Sequence, residues 1–578
     1  MNKSKMVKRL NVLLLCAILL TGCTSGTTGN EAASATIETQ SSELGYVKEM
    51  DKQQIMTVSI DADQGEWEKM LDNAEEEEYI PADITINGTT IKNVGIRPKG
   101  NSSLKQVSND DTTDRFSFKI KFDEYVDDQT WMGLDKLVVN NMISDSSYMK
   151  EYLSYDIMSY IGVDAPLFAF ANMTVNGEAW GFYLAVEDID SGYLDRTKDG
   201  EGELYKPNND DKGMGGAMGM GNPGAGGKPE GKQPVPNANE AGTQPGGKEA
   251  GPFGGGGAGR GMNGADNGVS LIYTDDQLSS YSAIFDNAET KTTEEDNNRV
   301  VTALKHLNEG TDLSQYVDVD AVLKYFAAHT VVVNMDSYTS NMGHNYYLYE
   351  NNGQISMLPW DYNMSFGGFQ SGNASDVVNL AIDTPLSGVS LEDRSILGKL
   401  LEVPEYKEKY HSYLQEIVDG YFANGKFEQK VESLDQLIAE YVKNDPSAFN
   451  TYEEYQTAVT ELTKLGTLRA ESIQGQLSGE IPSTTEGQQA DASHLVDASS
   501  VDLSKLGSSG RGNGMPGGKG FGGGFPSGRD QEKLQKAFDI IRSASNGVLT
   551  DEQKAQLHEL ELSDEQINQM LTMSPRQQ

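Results

Sequence analysis

The chain has 578 residues and carries 87 acidic against 46 basic side chains, a formal net charge of −41. That charge argues against nucleic acid or an anionic bilayer as a general partner and favours basic peptides. Of two cysteines, Cys16 lies in the leader and Cys23 at its end, so the body has no disulfide, thiolate nucleophile or zinc–thiolate site.

In chain order, Lys3, Lys5, Lys8 and Arg9 precede an apolar run over 10–20 that is too short to span a bilayer. Leu20-Thr21-Gly22-Cys23 resembles a bacterial lipobox. The expectation is a lipoprotein signal over 1–22, lipidation at Cys23 and a polar, flexible tether over 23–45. This would place the body on the extracellular face of the cell membrane, attached by lipid alone. The body is expected over 46–478. Residues 55–60 read as a strand and 67–74 as a short helix. Residues 79–94 read as a hairpin turning at Asn87-Gly88. The alternation in RFSFKIKF (115–122) predicts a half-buried strand, and 137–140 another. Apolar residues Met149, Leu153, Ile157 and Ile161 predict a helix over 148–161, and 172–187 reads as a hairpin turning at Asn176-Gly177. Residues 207–268 are rich in Gly and Pro, with too little apolar surface to fold, and are expected to be a disordered insertion. Within them GTQPGGKE imitates a phosphate-binding loop, but it lacks the closing Ser/Thr and the flanking strand and helix. Helices are predicted over 297–307, 319–333, 397–421 and 427–477, punctuated by Pro404 and Pro446. A Gly/Ser-rich linker follows over 479–529. A small helical module over 530–578 opens its helices with capping boxes at Thr550 and Ser563.

The chemistry concentrates between 334 and 368. Asp336 and Asn341 are spaced D-x-x-x-x-N, and a hairpin-like run leads to Asp361 in PWDYNMSFGG. Phosphoryl transfer needs parts in this order: an Asp to position the acceptor hydroxyl, an Asn to help hold metal, and a second Asp on the nucleotide-bridging Mg²⁺. Asp361 has apolar and aromatic neighbours, a setting in which a carboxylate needs a partner such as a divalent ion, and Asn363 offers another oxygen. Upstream, Arg97, Lys99, Asn101 and Ser102 lie in RPKGNSS, a loop whose small residues let backbone N–H groups approach phosphate. Lys119 and Lys121 share one strand face, and Glu151 lies early in the 148–161 helix, where it can pair with a strand lysine. Residues 180–190 run from a strand into an acidic turn, where a hinge would hold adenine. Trp180, Tyr183 and Trp360 are candidates to stack on a base. Each of these residues also has a plainer reading as loop, solvated strand or core. His344 alone of six histidines lies nearby, and no HExxH, GxSxG or zinc spacing is present.

Taken together, RPKGNSS, RFSFKIKF, SYMKEYLSYD, VNGEAWGFYLAVEDID, HNYYLYE and LPWDYNMSFG resemble, in order, the blocks of the CotH family of spore-coat kinase-like proteins. The resemblance covers roughly 58–421 outside the insertion. It implies an α+β, atypical minimal protein-kinase-like fold that binds ATP with Mg²⁺ and phosphorylates Ser (or Thr) of a protein substrate, one expected to be Ser-rich and basic. On it, Asp336 matches the catalytic aspartate and Asp361 the metal-binding one, with Asn341 and the Lys119/Lys121 strand matching less closely. Asn363 stands where family members often have a second Asp. Two rival classes share these residues: a non-catalytic pseudokinase scaffold, and an envelope adhesion module, which the scattered Trp67, Trp131 and Trp180 permit.

Overall fold

Seven strands close into a barrel whose interior is filled from alternate positions along them. The computed structural model describes residues 44–208, 268–507 and 550–559. The strands are β1 (Met56–Ala62), β2 (Ile80–Ile86), β3 (Thr89–Lys99), β4 (Ser117–Lys121), β5 (Lys136–Asn140), β6 (Phe168–Val175) and β7 (Glu178–Glu187). They run in the order β1-β2-β3-β4-β5-β7-β6, and a parallel pairing of β1 with β6, Val58 opposite Met173, closes the ring. Both expected hairpin turns form. Asn87 and Gly88 take φ of +48° and +82°, and Asn176 and Gly177 take +50° and +84°, left-handed pairs that match strand twist.

The barrel is filled by one set of side chains, including Val58, Ile60, Ile84, Ile96, Phe118, Ile120, Val139, Met173 and Ala185. Each fully buried large aliphatic or aromatic side chain contributes about 1.5–3 kcal/mol. The opposite faces of β5, β6 and β7, with Val138, Phe168, Phe170, Leu184 and Val186, belong to a second core shared with the helices. There α3 (Lys150–Tyr160) lies on the barrel wall. Its Tyr152 ring stacks on Phe170 at 5.0 Å and meets Phe168 edge-on at 4.9 Å. Before it in the chain, α1 (Gln64–Asp72) and α2 (Ser102–Ser108) decorate the barrel.

A three-stranded sheet, β8 (Glu203–Tyr205), β9 (Tyr346–Asn351) and β10 (Gln354–Pro359), is ordered β10-β9-β8. It leads into a helical layer of α4 (Glu294–Glu309), α5 (Val319–Val332), α6 (Pro404–Ile417), α7 (Lys426–Lys443) and α8 (Tyr452–Ser478). Helix α5 is apolar almost all round, with Val322, Tyr325, Phe326, Ala328 and Val332 buried, as befits a helix packed between α3, α6 and β10. The barrel is tied to this layer by a fully buried ion pair, Arg115 to Asp445 at 2.6 Å, in the α7–α8 connection. Losing one partner of such a pair strands a charge away from water.

The α+β expectation holds. Barrel closure was not anticipated, because β1 and β6 are far apart in sequence and nothing local marks their pairing. The run 397–421 divides at Pro404, and 427–477 divides around Pro446. Residues 480–507, expected to be linker, pack instead: Ala498, Val501 and Leu506 join the main core. Their apolar side chains are single and aperiodic, so no pattern announces them. Thr550 and Gln553 form their capping box ahead of the helix Asp551–Glu559. The leader and tether, with Cys23, the insertion over 209–267 and the box at Ser563 lie outside the described residues.

The two sides of the insertion meet at one short helix, Ser282–Phe285. The Asn208 N–H donates to the Ala283 carbonyl at 3.0 Å, and Gly268 packs against Ile284. Joining 208 to 268 with a short Gly/Ser link is expected to shift the melting temperature by only a few degrees, since each doubling of loop length costs only about 0.6 kcal/mol. Loss of cooperative unfolding in that variant would show that the insertion is part of the fold.

Candidate functional site

The outward faces of β3, β4 and β5 carry a row of lysines. Register places Arg97 opposite Lys119, Lys99 opposite Ser117, and Lys121 opposite Lys136. Just past β7, Asp188 takes Lys119 at 2.6 Å and Asp190 takes Lys136 at 3.1 Å. Burial works against the Asp188 carboxylate, yet Lys119, Lys206 and Lys136 together hold it below its ordinary range. Lys121 turns away to Glu124, at 2.9 Å, and Asp123. Arg97 pairs with Glu77 and lies 5.3 Å from the Tyr79 ring centre. Asn101 and Ser102 are exposed at the start of α2, where Asn101 accepts from Lys105 Nζ at 3.3 Å.

Arg97 and Lys99, expected in a loop, lie instead on β3, which runs on because they pair with Lys119 and Ser117, and Lys99 is the one that reaches the carboxylates. Its Nζ donates to Asn140 Oδ1 at 3.2 Å, and Asn140 Nδ2 donates to Glu151 Oε2 at 2.9 Å. Glu151, in the first turn of α3, is buried. Burial first, then the charge of Asp361, pushes it up to about 7. Asp361 follows β10 in a left-handed conformation, φ +58°, and its N–H donates to the Tyr155 hydroxyl at 3.1 Å. The same tyrosine interacts with Glu151, so one side chain adjoins both acidic residues. Burial and the charge of Asp336 raise Asp361 in turn, against Lys99, His344 and Lys206.

Asp336 is held from both sides. His344 Nε2 lies 2.8 Å from one carboxylate oxygen, and Asn345 Nδ2 donates to the other at 3.2 Å. Asn345, rather than Asn341, makes this contact. Asn341 is exposed, with Gly388 its close neighbour, and Asn363 is half-buried in the turn after Asp361. The sequence reading therefore has Asp336, Asp361, Glu151 and Lys99 converging, while Lys119 lies one step out on Asp188. Lys121, Arg97 and Asn101 make other contacts, and Ser102 and Asn341 are exposed. Trp180 packs edge-on against Trp67 at 5.4 Å and Tyr183 is buried in the barrel, whereas Trp360 borders the acids. Residues not anticipated are Asn140, Tyr155, Asn345, Asp188 and Lys206. The second Asn of NMGHN and the alternation in VEDID were the available signals for two of them.

Two loops carry the aspartates, and buried polar groups lock them together. Helix α5 ends at Val333 with φ +50°, rare for a β-branched residue, and this turns the chain toward Asp336. Phe366 N–H donates to the Val332 carbonyl at 2.6 Å, and Asn334 Nδ2 reaches the Asp361 carbonyl at 3.4 Å. His329 on α5, pushed down to about 3 by burial, is neutral; its Nδ1 bonds the Tyr362 hydroxyl and its Nε2 the Thr339 hydroxyl, both at 2.8 Å. Ser154 of α3 donates to Ser365 at 2.8 Å, which couples the Glu151 helix to the Asp361 turn.

Replacing His329 with Leu leaves two buried hydroxyls without their partner and is expected to cost roughly 2–4 kcal/mol. Urea unfolding measures it, and an unchanged midpoint would remove His329 as a brace. The Glu151 shift has a definite sign. A carboxyl whose folded pKa is raised holds its proton longer in the native state, so native stability falls as pH rises from about 4.5 through about 7. Glu151→Gln removes that loss. In EDTA, the melting temperature of Glu151→Gln relative to wild type is expected to be higher at pH 8 than at pH 5; parallel curves would contradict the electrostatic reading.

Comparison with known proteins places this geometry. The family model described as CotH kinase protein matches residues 96–473, more than half of the chain and the span that contains every acid and lysine of the site. The chain is also similar to the inner spore coat protein H of Bacillus subtilis (strain 168), at 23% identity over 338 residues, covering 57% of this chain and 74% of that protein. The chain belongs to the CotH family.

Proposed function

We propose that this protein is an ATP- and Mg²⁺-dependent kinase that phosphorylates Ser, and secondarily Thr, hydroxyls of a protein substrate. The observation that carries the reading is the convergence of Asp336, Asp361, Glu151 and Lys99, with the two aspartate loops cross-braced. The family description as a kinase supports it. The barrel beside a helical layer, with the acids where they meet, suits an atypical kinase-like architecture.

The donor set fits Mg²⁺ with phosphate. Among the described residues no three His, Cys, Asp or Glu side chains gather as a metal cage. Mg²⁺ keeps waters and takes phosphate oxygens, so one or two carboxylates suffice. Asp361 raises the Glu151 pKa and is itself raised by Asp336, a repulsion that a divalent cation relieves. Asp361 would hold the ion, with Asn363 as an oxygen donor in the same turn; Asn341 would join only by moving from its exposed position. The ion would supply charge neutralisation on the phosphates.

The chain's own residues then have separable tasks. Asp336 is oriented by His344 and Asn345 to accept the proton of a serine hydroxyl. The serine oxygen forms a bond to the γ-phosphorus as the bond to the β–γ bridging oxygen breaks and ADP leaves. Lys99 supplies positive charge at the phosphates and is positioned through Asn140 by Glu151. Positioning and electrostatics account for most of such a rate enhancement. The acidic body suits a basic, Ser-rich substrate segment. Among the described residues no helix is long and apolar enough to cross a membrane. The reading therefore keeps lipidation at Cys23 as the attachment to the outer face of the membrane, an envelope setting in keeping with the relative's name.

The two aspartates are expected to fail differently. Asp361→Ala should abolish Mg²⁺-dependent ATP binding and transfer together. Asp336→Asn should keep most ATP binding and lose about 10²–10⁴ in turnover, since it acts on the hydroxyl in the transition state. Calorimetric ATP titration and counting of label transferred from γ-labelled ATP separate the two. Wild-type binding and turnover in both variants would overturn the proposal.

A further inference from the structure

Lys206 stands at the end of β8, and its place is fixed by its backbone. Its N–H donates to the Asn287 carbonyl at 2.8 Å, and β8 pairs with β9. Its ammonium lies 5.0 Å from the Trp360 ring centre and 5.1 Å from that of Tyr347. Lys99 lies 5.6 Å from the same Trp360 ring. Trp360 immediately precedes Asp361, so two ammonium groups from opposite sides of the fold, one on the barrel and one on the small sheet, border the acid. The neighbouring lysines are neutralised: Lys119 by Asp188 and Lys136 by Asp190. Among the described residues no carboxylate lies within 4.0 Å of the ammonium of either Lys99 or Lys206.

Burial depresses the Lys206 pKa, and the positive charges of Lys99 and Lys119 add to that, with the more distant carboxylates of Asp188 and Glu289 opposing. The fold thus holds cations close together without closing them into ion pairs, beside two acids that repel each other. A single carboxylate or a neutral sugar answers neither need. A ligand with several negative charges spaced along a chain, bound with a divalent cation, answers both.

We infer that Lys206 is a direct cationic contact for a polyphosphate chain, acting with Lys99 on either side of the position that Asp361 serves. The inference rests on the phosphoryl-donor reading for its biological ligand but not for its chemistry, and tripolyphosphate tests it apart from the nucleoside. The aromatic contacts keep the lysine stem in place, so a methionine there preserves the packing and removes only the charge.

The test uses the full chain with Mg²⁺. Calorimetry would measure tripolyphosphate, ATP and adenosine binding to wild type, Lys206→Met and Lys206→Arg. The expected result is a tenfold or greater loss of affinity for tripolyphosphate and ATP in Lys206→Met, no change for adenosine, and recovery of most of the loss in Lys206→Arg. The salt dependence of ATP binding should also flatten in Lys206→Met. Unchanged polyphosphate affinity in Lys206→Met would overturn the inference. So would a loss that Lys206→Arg does not restore and that accompanies a lower melting temperature of the ligand-free protein, which is the signature of a packing role. Wild type binding tripolyphosphate but not ATP, with the expected Lys206 effect, would uphold the anion site while removing the ATP reading. Wild type binding neither would overturn both.

Discussion

Two carboxylates share one desolvated corner of this protein, and the surrounding frame exists to keep them there. Glu151 and Asp361 both adjoin Tyr155; Glu151 is raised by burial and by the charge of Asp361, and Asp361 by burial and by the charge of Asp336. Left to themselves, such acids separate or take up protons. Here neither has room to move. Glu151 is carried on a helix whose Tyr152 ring is stacked on the barrel wall. Asp361 sits between β10 and a turn bonded back to the end of α5.

The frame is polar where a purely apolar core would have been simpler. Buried His329 bonds Tyr362 and Thr339, and buried Ser154 bonds Ser365. A hydrogen bond of this kind contributes little net stability, but an alternative packing that breaks it strands a buried group. The network therefore selects one arrangement of the Asp336 loop against the Asp361 turn. The proposed phosphoryl transfer would need that more than stability, because such catalysis is chiefly the fixed placement of charge.

Local periodicity made most of the elements legible. RFSFKIKF alternates because one face fills a barrel, and Asn87-Gly88 and Asn176-Gly177 turn because their residues accept left-handed backbone. Asp336 stood out by its D-x-x-x-x-N spacing to Asn341, and Asp361 because a carboxylate amid apolar neighbours needs a partner. What could not be read was any pairing between distant segments. The closing of β1 on β6, the reach of Lys99 through Asn140 to Glu151 and the choice of Asn345 over Asn341 are all of that kind. Lys206 was hidden for another reason: it directly precedes the Gly-rich stretch read as an insertion over 207–268, and no pattern there marks a site residue. The packed segment up to 507 was likewise masked by its small and polar residues.

The central claim is that this corner is incomplete without a divalent cation and a polyphosphate together. The most direct measurement is the melting temperature of the full chain with Mg²⁺ alone, ATP in EDTA, and both at once. The account predicts modest shifts with either alone and a shift larger than their sum with both, since each ligand relieves a repulsion that the other depends on. Equal stabilisation by ATP with and without Mg²⁺ would contradict it.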